Sequence, residues 1–242
     1  MAAQPSPVRR AWREAAGVAI ATSAYGISFG ALAVASGLDV WQACVLSLLM
    51  FTGGSQFAFV GVIGGGGLPI AAVASAGLLG IRNVAYGLRM SPVVGSGFWR
   101  RAVASHFTID ESTAVSLAQT DAAAKRVGFW VTGIGIYLGW NLSTLAGALL
   151  GDVLGDVRAY GLDAAAAAAF LALLWPRLRG RQPIAVAAAA AVVAAVLTPA
   201  LMPGLPVLVA AVVALIVGWT NLGGSTPRGD EARPLAPGEV RP

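Results

Sequence analysis

From about residue 12 to residue 222 the chain is apolar almost without interruption, and short polar blocks cut that stretch into segments. The segments lie at approximately 14–37, 41–62, 68–90, 102–122, 127–150, 161–176, 183–201 and 204–222. Most approach the roughly 17–25 residues that a helix needs to cross a hydrocarbon core about 30 Å thick. The breaks are Leu38–Asp39, Gly64–Gly67, Pro92–Arg101, Lys125–Arg126, Asp152–Arg158, Arg177–Arg181 and Met202–Pro203. This pattern predicts an all-α, polytopic transmembrane bundle of about six to eight spans. Two segments fit poorly. The sixth is short, and His106, Thr108, Asp110, Glu111, Ser112 and Thr113 crowd the first half of the fourth. Irregular or re-entrant backbone is tolerated at membrane depth only inside protein or beside a watery cavity.

Composition agrees with a lipid-facing surface. Hydrophobic residues make up 57% of the chain and charged residues 11%, against about 25% charged in soluble domains. The organisation expected is a cytoplasmic N-terminal segment (1–13), a transmembrane domain (14–222) and a disordered C-terminal tail (223–242) rich in Pro, Gly and charge. The net charge of +5 comes from short basic blocks between apolar segments, which encode orientation and not nucleic-acid binding. Arg9, Arg10 and Arg13 precede an apolar stretch longer than a signal peptide's, so a retained first helix is expected.

With the N-terminus inside and every segment crossing, Lys125, Arg126, Arg177, Arg179 and Arg181 also fall inside, as do the tail arginines. Outside fall Arg158 and the pair Arg100–Arg101, the one violation of the positive-inside rule. If the fourth segment is re-entrant, an earlier one must be too, because Lys125–Arg126 should stay inside. Arg13, Gly26 and Asp39 echo Arg126, Gly139 and Asp152 at equal spacing, which chance also explains and which would make two like-oriented helices.

Candidate chemistry lies in the polar residues sunk within these segments. A charge at mid-bilayer costs roughly 2.5–3.5 kcal/mol even on insertion scales, so Arg82, His106, Asp110 and Glu111 point to a cargo or proton pathway. Arg82 needs an acidic partner, with Asp110 and Glu111 as candidates. On one continuous helix His106, Asp110 and Thr113 would share a face. Gly26-Ile-Ser28-Phe-Gly30 is either a place where a helix opens or a packing notch. Thr52 and Gln56, four apart beside Gly53–Gly54 and Ser55, could recognise a polar head or bind helices together. Tyr86 follows Arg82 on one face, and Tyr137, Asn141 and Thr144 line another. No nucleophile, phosphate loop, metal cluster or cofactor motif stands out, and one cysteine, Cys44, allows no internal disulfide. A transporter is therefore expected, and a channel or a non-transporting scaffold subunit are its rivals.

At its motifs the chain resembles the AzlC family, the large subunit of bacterial branched-chain amino acid exporters. The residues carrying the likeness are Gly26-Ile-Ser-Phe-Gly-Ala31, Trp41-Gln42-Ala43, Phe51-Thr-Gly-Gly-Ser-Gln-Phe57 and Arg82-Asn-Val-Ala-Tyr86-Gly-Leu. Phe107-Thr-Ile-Asp110-Glu111, Gly139-Trp140 and Gly161-Leu-Asp163 continue it. The resemblance implies export of small hydrophobic amino acids, driven by the proton gradient, across the bacterial inner membrane. It also implies a small AzlD-like membrane subunit that this chain does not contain. Relatives carry His where this chain has Asn83. From burial physics and motif position, and not from the resemblance, the candidate solute-binding residues are Ser28, Thr52, Ser55, Gln56, Arg82, Tyr86 and Asn141, and the candidate coupling residues are His106, Asp110 and Glu111.

Overall fold

The structure is a computed structural model that describes residues 6–154, 171, 174–175, 178–202 and 205–220. The described residues are helical with no strand, as the periodicity demands. Most of the expected sixth span, Arg158 and the tail from 223 lie outside them.

The chain divides into two compact units. In the first, α1 (Pro7–Ala24) and α2 (Gly26–Ala35) form one 29-residue apolar rod. Ser6 accepts the Arg9 amide and Pro7 occupies the first turn, so the rod starts well before residue 14. The long α9 (Ala122–Leu154) runs parallel to it. Contacts climb in step: Ala19 meets Gly135, Ser23 meets Gly139, Ile27 meets Gly147 and Ala31 meets Gly151. A Cβ on Gly30 would run into the Thr144 carbonyl oxygen. Gly26 and Gly30 thus form a packing notch against α9. Lipid supplies no hydrophobic force between helices, so such close backbone approach is the source of cohesion here.

The second apolar segment is not a straight crossing. It consists of α3 (Val40–Leu49) and α4 (Gly54–Gly64), joined by Met50–Gly53. Asp39 and Gln42 cap α3 reciprocally at 2.7 and 2.9 Å. Descending α3 reaches Thr144 through Ser47, with hydroxyls 3.2 Å apart, and Phe51 then packs on Tyr137. Gly53, at φ +55°, reverses the chain. From there α4 climbs past Trp140 at Phe57 and ends with Gly64 beside Ser36, at the end of the molecule where α3 began. At 1.5 Å per residue each leg is about 15 Å long, half a bilayer core. The unit is a half-depth hairpin.

α5 (Pro69–Gly80) and α6 (Arg82–Val94) follow as one 26-residue span that returns to the N-terminal end of α9. There Met90, Val94, Ala104 and Phe129 form one buried cluster. A second hairpin then inserts from that end. Its first leg is α7 (Phe98–His106) and its second is α8 (Asp110–Leu117). The turn at Phe107 lies against Gly133, and α8 descends past Gly128 at Val115. Ser116 donates to the Lys125 carbonyl at 2.9 Å, and Gln119 donates to Glu14 at 2.8 Å. The fourth apolar segment therefore starts and finishes at one end.

Two expectations change. Arg100–Arg101 share an end with Arg9, Arg10, Arg13, Lys125 and Arg126, so the violation of the charge rule disappears. His106 and Asp110 do not share a helix face, because the helix breaks between them at Phe107–Ile109.

The second unit contains α10 (Arg181–Leu197) and α11 (Leu205–Thr220) from Pro206 onward, both apolar helices.

Candidate solute and coupling site

The two hairpins are variants of one design. Phe51 and Phe107, Thr52 and Thr108, and the reversal residues Gly53 and Ile109 stand at one constant spacing, as do Gln56 and Ser112. In the first hairpin the Gly53 amide donates to Gln56 Oε1 at 3.1 Å, and in the second the Ile109 amide donates to Ser112 Oγ at 3.1 Å. Each returning leg packs on the span after it, α4 on α5 and α8 on α9, at equivalent positions. Phe59 lies against the cluster that holds Ala72, and Val115 lies against Gly128. Residues 40–94 and 98–154 are thus repeats inserted with opposite sense, an architecture that in transporters places the solute site between the repeats.

The tips meet at mid-depth. Phe51, His106, Phe107 and Tyr137 pack mutually, with ring centroids 5.1–6.5 Å apart. Beside this aromatic knot the first turn of α8 meets the start of α6. Arg82 Nη1 lies 2.9 Å from Asp110 Oδ2, so of the two acids Asp110 takes the ion pair. The Tyr25 hydroxyl donates to Glu111 Oε1 over a longer 3.5 Å. One cation thus faces two carboxyl groups, leaving Glu111 as the surplus acid.

These groups line a chamber of about 20 Å³ together with Thr22, Thr52, Gly53, Gly54, Phe57, Ile136 and Trp140. That is room for about one water. Thr52 Oγ1, Arg82 Nε, Asp110 Oδ1 and Trp140 Nε1 are buried with no hydrogen-bond partner among the described residues. Such orphans mark a place that a polar guest completes. The chamber also receives the start of α4, where the Gly54 and Ser55 amides precede any intrahelical acceptor.

Above the chamber, between the legs of the first hairpin, lies an open groove of about 1070 Å³. Its upper walls are mainly apolar, with Leu38, Trp41, Val45, Leu46, Leu49, Phe59 and Ile63 beside Asp39 and Gln42. Its floor carries Asn83, Ser105, His106 and Thr108. Phe51 and Thr52 border both the groove and the chamber, and so form the partition between them.

The residues expected to form one site fall into three places. Thr52, Arg82, Asp110 and Glu111 line the chamber, and His106 lines the groove. Gln56 is fully buried and spends its Oε1 on the hairpin turn. Ser55 sits under Gly80, Asn141 donates to the Tyr137 carbonyl at 2.7 Å, and Tyr86 is half-buried further along α6. Ser28, Ser55, Gln56, Tyr86 and Asn141 line neither cavity. Sequence reasoning missed Tyr25, Trp140 and Phe51. The pairing of Phe51-Thr52 with Phe107-Thr108 was the available signal.

The AzlC protein family matches residues 17–154, more than half of the chain and the whole of both repeats. The chain belongs to the AzlC family. AzlC is a transporter-type membrane family and not an enzyme family. In this AzlC protein the matched region ends with α9, so the chamber and the groove lie entirely within it. No curated protein and no solved structure matches the chain.

Proposed function

We propose that this protein exports branched-chain and other small apolar amino acids across the bacterial inner membrane. Protons drive the export, and a small AzlD-like membrane subunit assists it. The observation that carries the reading is the partition at Phe51–Thr52. An apolar groove suited to an aliphatic side chain adjoins a chamber with one cation, two carboxyl groups and four unsatisfied polar atoms. A zwitterion with an apolar tail needs both. The AzlC family's association with branched-chain amino acid transport supports the same reading.

Arg82 and the α4 amides supply positive charge for a carboxylate, and Asp110 with Glu111 supplies negative charge for an ammonium group or a proton. The groove ends at a chamber of one water's volume, which favours a carrier over an open channel. Orientation follows from charge. Arg9, Arg10, Arg13, Arg100, Arg101, Lys125 and Arg126 gather at one end, whereas residues 36–68 at the other contain no Lys or Arg. The basic end, with the N-terminus, is assigned to the cytoplasm.

The test is efflux from cells preloaded with dipeptides of valine, leucine, isoleucine and methionine. Expression with the small subunit should lower the intracellular pools, and a protonophore should abolish the effect. Unchanged pools for all four amino acids would end the reading.

A further inference from the structure

At the basic end the second hairpin begins on two exposed arginines. Arg101 Nε donates to the Gly95 carbonyl at 3.0 Å, and Arg100 Nη1 lies 3.7 Å from the position that a Cβ on Gly95 would take. Both guanidinium groups thus converge on one glycine, in the turn between α6 and α7. Among the described residues neither has a carboxylate partner, whereas Arg10 at the same end pairs with Glu14 at 3.5 Å. Two like charges held together repel. An anion between them replaces that repulsion with charge-assisted hydrogen bonds. Beside them Phe98 and Trp99 pack edge to face at 5.2 Å, yet stand 76% and 79% exposed. Of the nine residues of α7 only Ala104 is buried. Protein packing therefore does little to seat this leg.

At 1.5 Å per residue α7 is about 14 Å long, and its far end reaches the mid-depth turn at Phe107. Phe98 and Trp99 accordingly stand near the edge of a hydrocarbon half-core about 15 Å deep, the level at which aromatic rings collect. Successive helical residues are about 100° apart. Phe98, Trp99, Ala102 and Val103 therefore share one side of α7, and Arg100 and Arg101 take the other. We propose that the turn from Gly95 to Arg101 binds the phosphate of an anionic phospholipid in the leaflet at the basic end. Arg100 and Arg101 hold the phosphate through their remaining N–H groups, and Phe98 and Trp99 lie against the acyl chains. A soluble anion would satisfy the arginines alone, but the exposed aromatic pair at the same turn fits a lipid. The bound lipid seats α7, the leg that leads to His106. The site depends on no property of the transported solute.

The experiment titrates bromine-labelled phosphatidylglycerol, or bromine-labelled phosphatidylcholine, into the full chain in detergent at about 0.15 M salt. Quenching of Trp99 is read as the difference between the parent and Trp99→Phe. Phosphatidylglycerol should quench at the lower concentration. Arg100→Ala and Arg101→Ala should each raise its midpoint about tenfold, the worth of one hydrogen bond to a charged group. Arg9→Ala, an equal loss of charge at the same end, should leave the midpoint within about twofold, because salt screens exposed charges beyond a Debye length. Equal quenching by the two lipids in the parent would overturn the site without recourse to any variant. An equal loss from Arg9→Ala would also overturn it, leaving only general surface charge. Relief of the quenching by millimolar inorganic phosphate at matched ionic strength would assign the arginines to a soluble anion and overturn the lipid.

Discussion

The hairpin at 40–64 and the hairpin at 98–117 turn on the same Phe-Thr pair and close their turns with the same backbone-capping geometry. They differ in the residues just past the reversal. The first continues with Gly54 and Ser55, which present bare amides; the second continues with Asp110 and Glu111, which present charge. A helix N-terminus carries a partial positive charge, so the acids at the head of α8 are locally favoured while the bare head of α4 is left for a guest anion. The fold uses one scaffold twice, and under the proposed function the two copies would supply the two halves of a zwitterion site.

The largest expected effect comes from unbalancing the chamber. Arg82→Ala leaves Asp110 and Glu111 facing each other; the pair is only partly buried, so the loss should fall below the roughly 3–5 kcal/mol that breaking a fully buried pair costs. Thermal unfolding in detergent should show that loss, and Arg82→Ala with Asp110→Ala should recover most of it. Equal destabilisation of single and double variants would mean that the pair contributes nothing. Next in size is the notch between α2 and α9. Gly30→Leu must displace the Thr144 backbone, and overpacking of this kind costs about 1–3 kcal/mol. Gly17, with open space around it, should accept alanine without loss. A third comparison bears directly on the repeat. Gln56→Ala and Ser112→Ala each remove the equivalent bond from the turn amide, worth about 1 kcal/mol, and Ser112→Ala also removes the hydroxyl's bonds to the Phe107 and Ile109 carbonyls. A tenfold disparity in their effect on folded yield would break the equivalence of the hairpins. Smallest is Asn141→Leu, which lies outside both cavities, loses a bond made within α9, and should leave export within about twofold of the parent.

Much of the fold was legible as spacing. The apolar segments fall close to the observed helices, and the break in the second lies in the Phe51–Phe57 motif that polar residues had singled out. Hydropathy counts apolar length but not direction, so a hairpin with two legs of about 15 Å reads the same as one 30 Å crossing. The second break was harder still, because Phe107-Thr108-Ile109 contains neither Gly nor Pro. For that reason His106 and Asp110 were expected on one face, and the structure sends them to different cavities. The need for an acid beside Arg82 could be argued from burial alone; which acid it is depends on tertiary geometry. Gln56 shows another limit: a local turn uses its Oε1, while its Nε2 stays buried with no partner among the described residues, a division that spacing alone does not reveal. The echo of Arg13, Gly26 and Asp39 at Arg126, Gly139 and Asp152 pointed to parallel helices, and α1–α2 does run parallel to α9. The internal symmetry of the site is the different one that relates residues 40–94 to 98–154.

The most direct test maps both ends of each hairpin. Single cysteines at Ser36, Leu68, Ser96 and Thr120, in a chain with Cys44→Ser, would be labelled from either face of the membrane. Hairpins inserted from opposite faces require Ser36→Cys and Leu68→Cys to react together on one side, and Ser96→Cys and Thr120→Cys together on the other. Reaction of Ser36→Cys and Leu68→Cys on opposite faces would show that residues 40–64 cross the membrane, and the paired-hairpin site would fall with it.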